Sequence, residues 1–192
     1  MAADESPLEF ASGCCIPTTW KEYPLVSVTP YNHDTSIFEF GLEEGQSLNL
    51  PVCACILMAN LPIAGEADEV RPYTPISDNS MLGKFQLIIK WYPAWGNPSF
   101  PANYKPPGKM SNYIHGLEVG ATVRFKHIPF NVKKPYPFSG VKTITMLAVG
   151  VGIAPMLQAL HSILTTEGDT TQVVFLYGNR AVRDILMRER YA

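Results

Sequence analysis

From Trp20 onward, apolar and polar residues follow one another in short runs broken by turn-forming residues. "YPLVSVTPYN" and "SIFEFGLE" are β-prone and are separated by Pro30 and by Asn32-His33-Asp34. "SLNLPVCACILMA", "GKFQLIIKWY" and "ATVRFKHIPF" follow, with Gly, Pro and Asn between them. Such spacing predicts antiparallel strands in a barrel or sandwich. One helix is expected at "KMSNYIHGL", directly after the breaker "KPPG" at Lys105 to Gly108.

Past "KKPYPFSG" the pattern changes. "TITMLAVG" is a continuous apolar run that leads into "VGIAPMLQALHSILTT", where Met156, Leu157, Leu160, Ile163 and Leu164 recur at helical spacing. "TQVVFLYG" is a second apolar run, and "NRAVRDILMRERYA" reads as a helix with basic residues late, where the helix dipole favours them. Strand–helix–strand–helix order predicts a parallel sheet. The continuous apolar strands predict that both of its faces are covered. The expected division is a flexible leader over 1–19, a β domain over 20–138 and an α/β domain over 139–192.

The chain has 192 residues, enough for one large or two small domains with real cores. With 46% hydrophobic and 17% charged residues it is too apolar for disorder. A net charge of −2 argues against a broad electrostatic grip on nucleic acid. No apolar run reaches about eighteen residues, so no membrane-spanning helix is expected. The acidic start "MAADESPLEF" lacks a signal pattern. Cys14-Cys15 and Cys53-x-Cys55 do not have zinc-site spacing, so no metal is expected and the thiols read as reduced, in a cytosol-facing protein.

Three stretches could carry chemistry. In "EVRPYTPISD", Arg71 offers a fork of donors suited to phosphate oxygens. In an extended segment Tyr73 shares its face, while Pro72 and Pro75 stiffen the backbone. "GKMS", Gly108 to Ser111, opens a helix and leaves backbone N–H groups free for an anion. "GVGIAP", Gly150 to Pro155, is a glycine turn between strand and helix that lets a ligand approach the backbone. Each motif alone is weak: a polar turn and a plain helix start explain the first two more readily than a ligand site does, and a glycine-rich strand-to-helix turn is common. Their order is more telling.

In that order, together with "NHDTSIFEF", "GKFQLIIKWY" and "LYGNRAVRDIL", they resemble the ferredoxin-reductase superfamily and, within it, the NADH–cytochrome b5 reductase family. The resemblance covers about Trp20 to the end. It implies an antiparallel six-stranded FAD-binding β-barrel followed by the first half of a parallel-sheet nucleotide-binding domain. By resemblance, Arg71 neutralises the FAD diphosphate, Pro72 shapes the turn, Tyr73 packs along the flavin and ribityl chain, and Thr74 places its hydroxyl near flavin N5 as the catalytic residue. Ile88 and Lys90 would come from the neighbouring strand, although core packing and a solvated strand end explain them as well. Lys109, Met110 and Ser111 would hold the diphosphate through backbone N–H groups. Gly150, Gly152, Ile153, Ala154 and Pro155 would admit the nicotinamide of NADH.

The implied activity is electron transfer from NADH through FAD to a haem protein, cytochrome b5 or similar. No acid–base pair is required, so His33, His115, His127 and His161 are not singled out. Peripheral association with the endoplasmic reticulum or the mitochondrial outer membrane stays open, as does the choice between NADH and NADPH. The pattern also departs from the family. Val151 stands where Thr or Ser is usual, Cys53 and Cys55 where Gly and His are usual, and Pro93 where an aromatic is common. The family continues beyond the position of Ala192 to a Cys-Gly-Pro motif. The expectation is therefore a C-terminally truncated product, or one completed by a partner. The rival expectation is a catalytically silent flavin-binding or interaction fragment.

Overall fold

A computed structural model describes residues 13–61, 67–129 and 131–191. The chain begins with strands β1 (Lys21–Pro30), β2 (Thr35–Gly41), β3 (Ile56–Ala59), β4 (Val70–Tyr73) and β5 (Lys84–Lys90). Helix α1 (Lys109–His115) and strand β6 (Thr122–His127) follow. These six strands form one antiparallel sheet in the order β4-β3-β6-β1-β2-β5. β1 pairs with β6 over Lys21–Pro24 and with β2 from Leu25 onward. The exchange of partners falls at an irregular register between Leu25 and Ser27, which is how a strand turns the corner of a small barrel. The edge strands β4 and β5 share no ladder. They are joined just past β4, where Ile76 N–H donates to Gln86 O at 2.9 Å and Gln86 N–H to Ser77 Oγ at 3.0 Å. The expected barrel thus closes through two bonds.

Period-two alternation fills the barrel. On β6, Val123 and Phe125 are fully buried while their neighbours are less so. Phe125 meets Phe40 at 4.8 Å and Phe85 at 5.2 Å, both edge to face, a geometry that aromatic quadrupoles favour. Residues 13–19 are no loose leader: Ile16 is buried, Cys15 N–H bonds Leu48 O, and Pro17 O accepts from His127 N–H. Residues 1–12 of the expected leader lie outside the described residues.

Only Ile56–Ala59 of "SLNLPVCACILMA" is a strand. Asn49 and Cys53 have positive φ and Pro51 has no N–H, so no ladder can run through them. Leu48, Leu50 and Ala54 are buried all the same. Their apolar character marked core, not strand.

The second region has β7 (Thr143–Val149), α2 (Ile153–Thr165) and β8 (Gln172–Gly178), with β7 and β8 paired in parallel from Thr143↔Gln172 to Val149↔Gly178. The expected boundary falls in the connection between β6 and β7. α2 follows its predicted stripe, with Leu157, Leu160 and Ile163 buried but Leu164 exposed. It covers one face of the pair through Met146, Ala159, Leu160 and Ile163. The other face is open, correcting the expectation of two covered faces: Leu147 is 68% and Val149 76% exposed, and Val174 and Leu176 are exposed too.

The C-terminal helix is also corrected. After a 3-10 turn at Val182–Asp184 the chain runs extended at Ile185, takes positive φ at Met187, and is helical only at α3 (Arg188–Tyr191). Tertiary partners outbid the local helix. Met187 N–H donates to the Tyr31 hydroxyl at 2.7 Å and Leu186 N–H reaches Tyr177, while both side chains enter a core with Ile76, Ile88, Ile153 and Leu157. That core joins the two regions behind the cleft described next.

Candidate functional site

Four segments meet around a cleft of about 410 Å³: Arg71–Thr74 at the end of β4 and just past it, Ile88–Lys90 from β5, Gly108–Ser111 at the start of α1, and Val151, Gly152, Ala154 and Pro155 at the start of α2. Arg71 and the helix start around Ser111 therefore line a single opening. The Arg71 guanidinium is held at its tip, where Nη2 pairs with Glu69 and Nη1 donates to Val70 O at 2.7 Å. Two of its donors are engaged, and a guanidinium carries five. Burial pushes the Tyr73 hydroxyl up to about 12, so Tyr73 is a neutral donor in the cleft. Thr74 lines the cleft and is partly buried.

The β5 wall is apolar at Ile88 and charged at Lys90. Ile88 is buried in the core joining the two regions, yet one surface lines the cleft. Lys90 is paired with Asp34 across the β1–β2 turn. Burial acts to raise the Asp34 carboxyl, but hydrogen bonds from Lys90 and Thr35 and the nearby charges outweigh it and hold its pKa below the usual value. Sequence reasoning treated Asp34 as turn punctuation. Its proximity to Lys90 follows from the register Thr35↔Lys90.

At the α1 wall, Ser111 Oγ donates to Gly108 O at 3.0 Å and accepts from Tyr92 N–H at 3.2 Å. The hydroxyl is thus occupied in bracing the helix start. What it leaves toward the cleft are the N–H groups of the first turn, which have no intrahelical acceptor. Gly108 is required by space: a Cβ there would come within 2.7 Å of Ser111 Oγ and 3.1 Å of Tyr92 Cβ. Lys109 and Met110 line the same wall, with the Met110 side chain reaching into the barrel core.

The glycine turn is a 3-10 helix over Gly150–Gly152. Gly150 has φ +52° and its carbonyl accepts from the Tyr177 hydroxyl at 2.9 Å; it shapes the turn from outside the cleft lining. Gly152, Ala154 and Pro155 do line the cleft. Ile153 does not: it is 2% exposed and packs in the core behind the turn. Val151 lines the cleft and presents methyl groups where the resemblance would place a hydroxyl.

A second groove of about 1030 Å³ adjoins the cleft and shares Lys90, Tyr92 and Gly108 with it. Trp91 and Trp95 form one wall and Arg180 and Arg183 another. At its edge His33 Nε2 lies 3.3 Å from Asp34 and 3.4 Å from Asp184. Ligand-type atoms of these three residues lie within 4.8 Å of one another. Lys90 and Arg180 already face the carboxylates, so the group is an ion-pair network joining the two regions.

Comparison with known proteins agrees with this arrangement. The oxidoreductase FAD-binding domain family matches residues 22–129, and the oxidoreductase NAD-binding domain family matches residues 146–192. NADH-cytochrome b5 reductase 2 of Saccharomyces cerevisiae (strain YJM789) is 36% identical over 171 residues, covering 88% of this chain and 51% of that protein. Human NADH-cytochrome b5 reductase 1 is 34% identical over 180 residues, covering 86% of this chain and 57% of that one. The crystal structure of the cytochrome b5 reductase domain of Ulva prolifera nitrate reductase superposes with a TM-score of 0.77 at 33% identity, covering 93% of this chain and 69% of that one. The chain spans about half the length of the two curated reductases. With a family match across more than half of its residues, on the strands and helix that build the cleft, the chain belongs to the oxidoreductase FAD-binding domain family, and NADH-cytochrome b5 reductases are among its relatives.

Proposed function

We propose that this protein is an FAD-containing oxidoreductase that takes electrons from NADH and passes them to a one-electron haem acceptor such as cytochrome b5. The observation that carries the reading is the convergence of four sequence-distant segments on one cleft. The donor set fits the cofactor. Arg71 supplies a cation with unspent donors for a diphosphate, and the first turn of α1 supplies backbone N–H groups for the same charge. Neutral Tyr73 and the apolar surface of Ile88 suit a flat ring and its polyol chain.

Bound FAD would supply the chemistry of accepting a hydride and releasing single electrons. The protein's task is then positioning. Thr74 brings a hydroxyl-bearing side chain to the cleft lining, and Gly152 leaves the opposite wall open, since a Cβ there would meet nothing within 4 Å. Val151 and Ala154 keep that wall apolar and help to exclude water. The adjoining groove, with Trp91, Trp95, Arg180 and Arg183, has space and charge for the remainder of a dinucleotide. A cytoplasm-facing site near a haem protein belongs to the same proposal. Among the described residues no helix is long and apolar enough to cross a membrane.

The test is direct. Purified protein should retain FAD and be yellow, and anaerobic mixing with NADH should bleach it in stopped flow. Arg71→Ala should weaken FAD about 10- to 100-fold, the value of one charge-assisted contact, as read by equilibrium dialysis. Fully folded protein that binds no FAD would overturn the reading. Protein that holds FAD and is never bleached would be the silent flavin binder instead.

A further inference from the structure

Gln158 lies on α2 one turn past Pro155, directly behind the cleft, and its side chain is buried. Its Nε2 donates to Pro75 O at 2.7 Å, and its Oε1 accepts from Cys53 N–H, also at 2.7 Å. The Cys53 thiol donates in turn to Pro155 O at 3.2 Å. Cys53 has φ +66°, a conformation uncommon for a residue with a side chain, and this turns its N–H and thiol together onto the helix. Three segments far apart in sequence thus meet at one amide.

Two of those segments are the walls of the cleft. Pro75 follows Thr74 directly, and Pro155 lines the opposite wall. On the barrel side the turn after β4 is already tied to β5 through Ile76 and Ser77. Toward α2, the bond from Gln158 is the polar tie next to Thr74; farther along the turn Asp78 pairs with His161 at 3.1 Å, and Ile76 and Ile88 add apolar contacts with Ile153 and Leu157.

We propose that Gln158 is a positioning residue that sets the spacing between the Thr74 wall and the glycine-turn wall. The inference rests on the proposed function of the cleft. A carboxamide suits the place because both a donor and an acceptor are required at one side-chain end without charge. Hydride transfer demands reacting atoms about 3–3.5 Å apart, and a displacement near 1 Å lowers the rate about 100-fold. Gln158 should therefore govern rate far more than affinity.

Two substitutions in the full chain test this. Gln158→Met keeps the bulk and removes both bonds. Gln158→Glu keeps the acceptor for Cys53 N–H but, when ionised, turns a carboxylate toward the Pro75 carbonyl. Amide hydrogen exchange without added cofactor should show faster exchange over 51–55 and over 74–77 in Gln158→Met. In Gln158→Glu at neutral pH it should be faster over 74–77 alone. Lowering the pH protonates the introduced carboxyl and restores a donor, so protection over 74–77 should return. With FAD bound, the limiting rate of bleaching by NADH should fall about 10- to 100-fold in either variant at neutral pH. The NADH concentration for half-maximal rate should stay within about twofold.

Unchanged exchange over 74–77 in both variants, or an unchanged limiting rate, overturns the proposal. If Gln158→Met does not fold, Gln158→Glu compared with itself across pH still decides. If wild-type protein holds FAD yet is never bleached, the electron-transfer reading fails, and the exchange results decide the positioning role by themselves.

Discussion

The two regions handle their outer surfaces in opposite ways. Outside the barrel, Glu39 accepts from Ser27 Oγ at 2.7 Å, Lys84 Nζ at 3.0 Å and Gln86 Nε2 at 2.8 Å, a polar network that crosses β1, β2 and β5. Outside the β7–β8 pair, Leu147, Val149, Val174 and Leu176 are exposed. The barrel is finished on both sides of its wall; the parallel pair is finished on one. One wall of the cleft is therefore anchored in a six-strand sheet, and the other in a helix whose own sheet has two strands. The contacts that cross between the regions carry correspondingly more of the alignment.

The sharpest way to break this contrast is at the barrel centre. Phe125→Ala removes a fully buried ring that packs against Tyr23, Phe40 and Phe85 and should lower unfolding free energy by about 3–5 kcal/mol in a denaturant titration. A loss below about 1 kcal/mol would mean the aromatic cluster is not the barrel's main support.

The polar network is a smaller lever, and it depends on pH. The Ser27 hydroxyl first, and then Lys84 and Gln86, hold the Glu39 carboxyl down to about 2 against the burial that would raise it. A folded-state pKa below the ordinary value of 4.5 makes this contribution complete above that pH, and it fades as pH falls toward 2. Glu39→Gln should cost on the order of 1 kcal/mol near neutrality. The gap to wild type should close on acidification, and a gap independent of pH would contradict the network. The smallest effect belongs to the open face. Leu147→Ser should change stability by no more than about 0.5 kcal/mol, and a loss of several times that in the isolated chain would show the face to be covered in solution.

Much of this arrangement is legible in the sequence because alternation and turn residues agree over β1, β2, β5 and β6, and 3.6-residue spacing agrees over most of α2. The cleft was legible through the order of its motifs. Two segments were not. Asn49 and Cys53 interrupt an apolar run with left-handed backbone that no period reveals, and residues 185–187 break the expected helix, where Leu186 and Met187 N–H groups turn to the hydroxyls of Tyr177 and Tyr31. Gln158 was hidden for a related reason. It stands beside Leu157 in an apolar stripe, and a single polar residue there reads as solvated unless its distant partners are known. Ile153 shows the converse, since Gly152, Ala154 and Pro155 line the cleft while this neighbour's side chain turns inward.

The meeting of β4 and β5 through two bonds has a consequence for what a bound cofactor does. A molecule lying along Tyr73 on one margin and Ile88 on the other would bridge the gap that pairing leaves, much as another stave completes a cask. By this geometry a cofactor bound there would be part of the barrel wall, and loading it would tighten that wall.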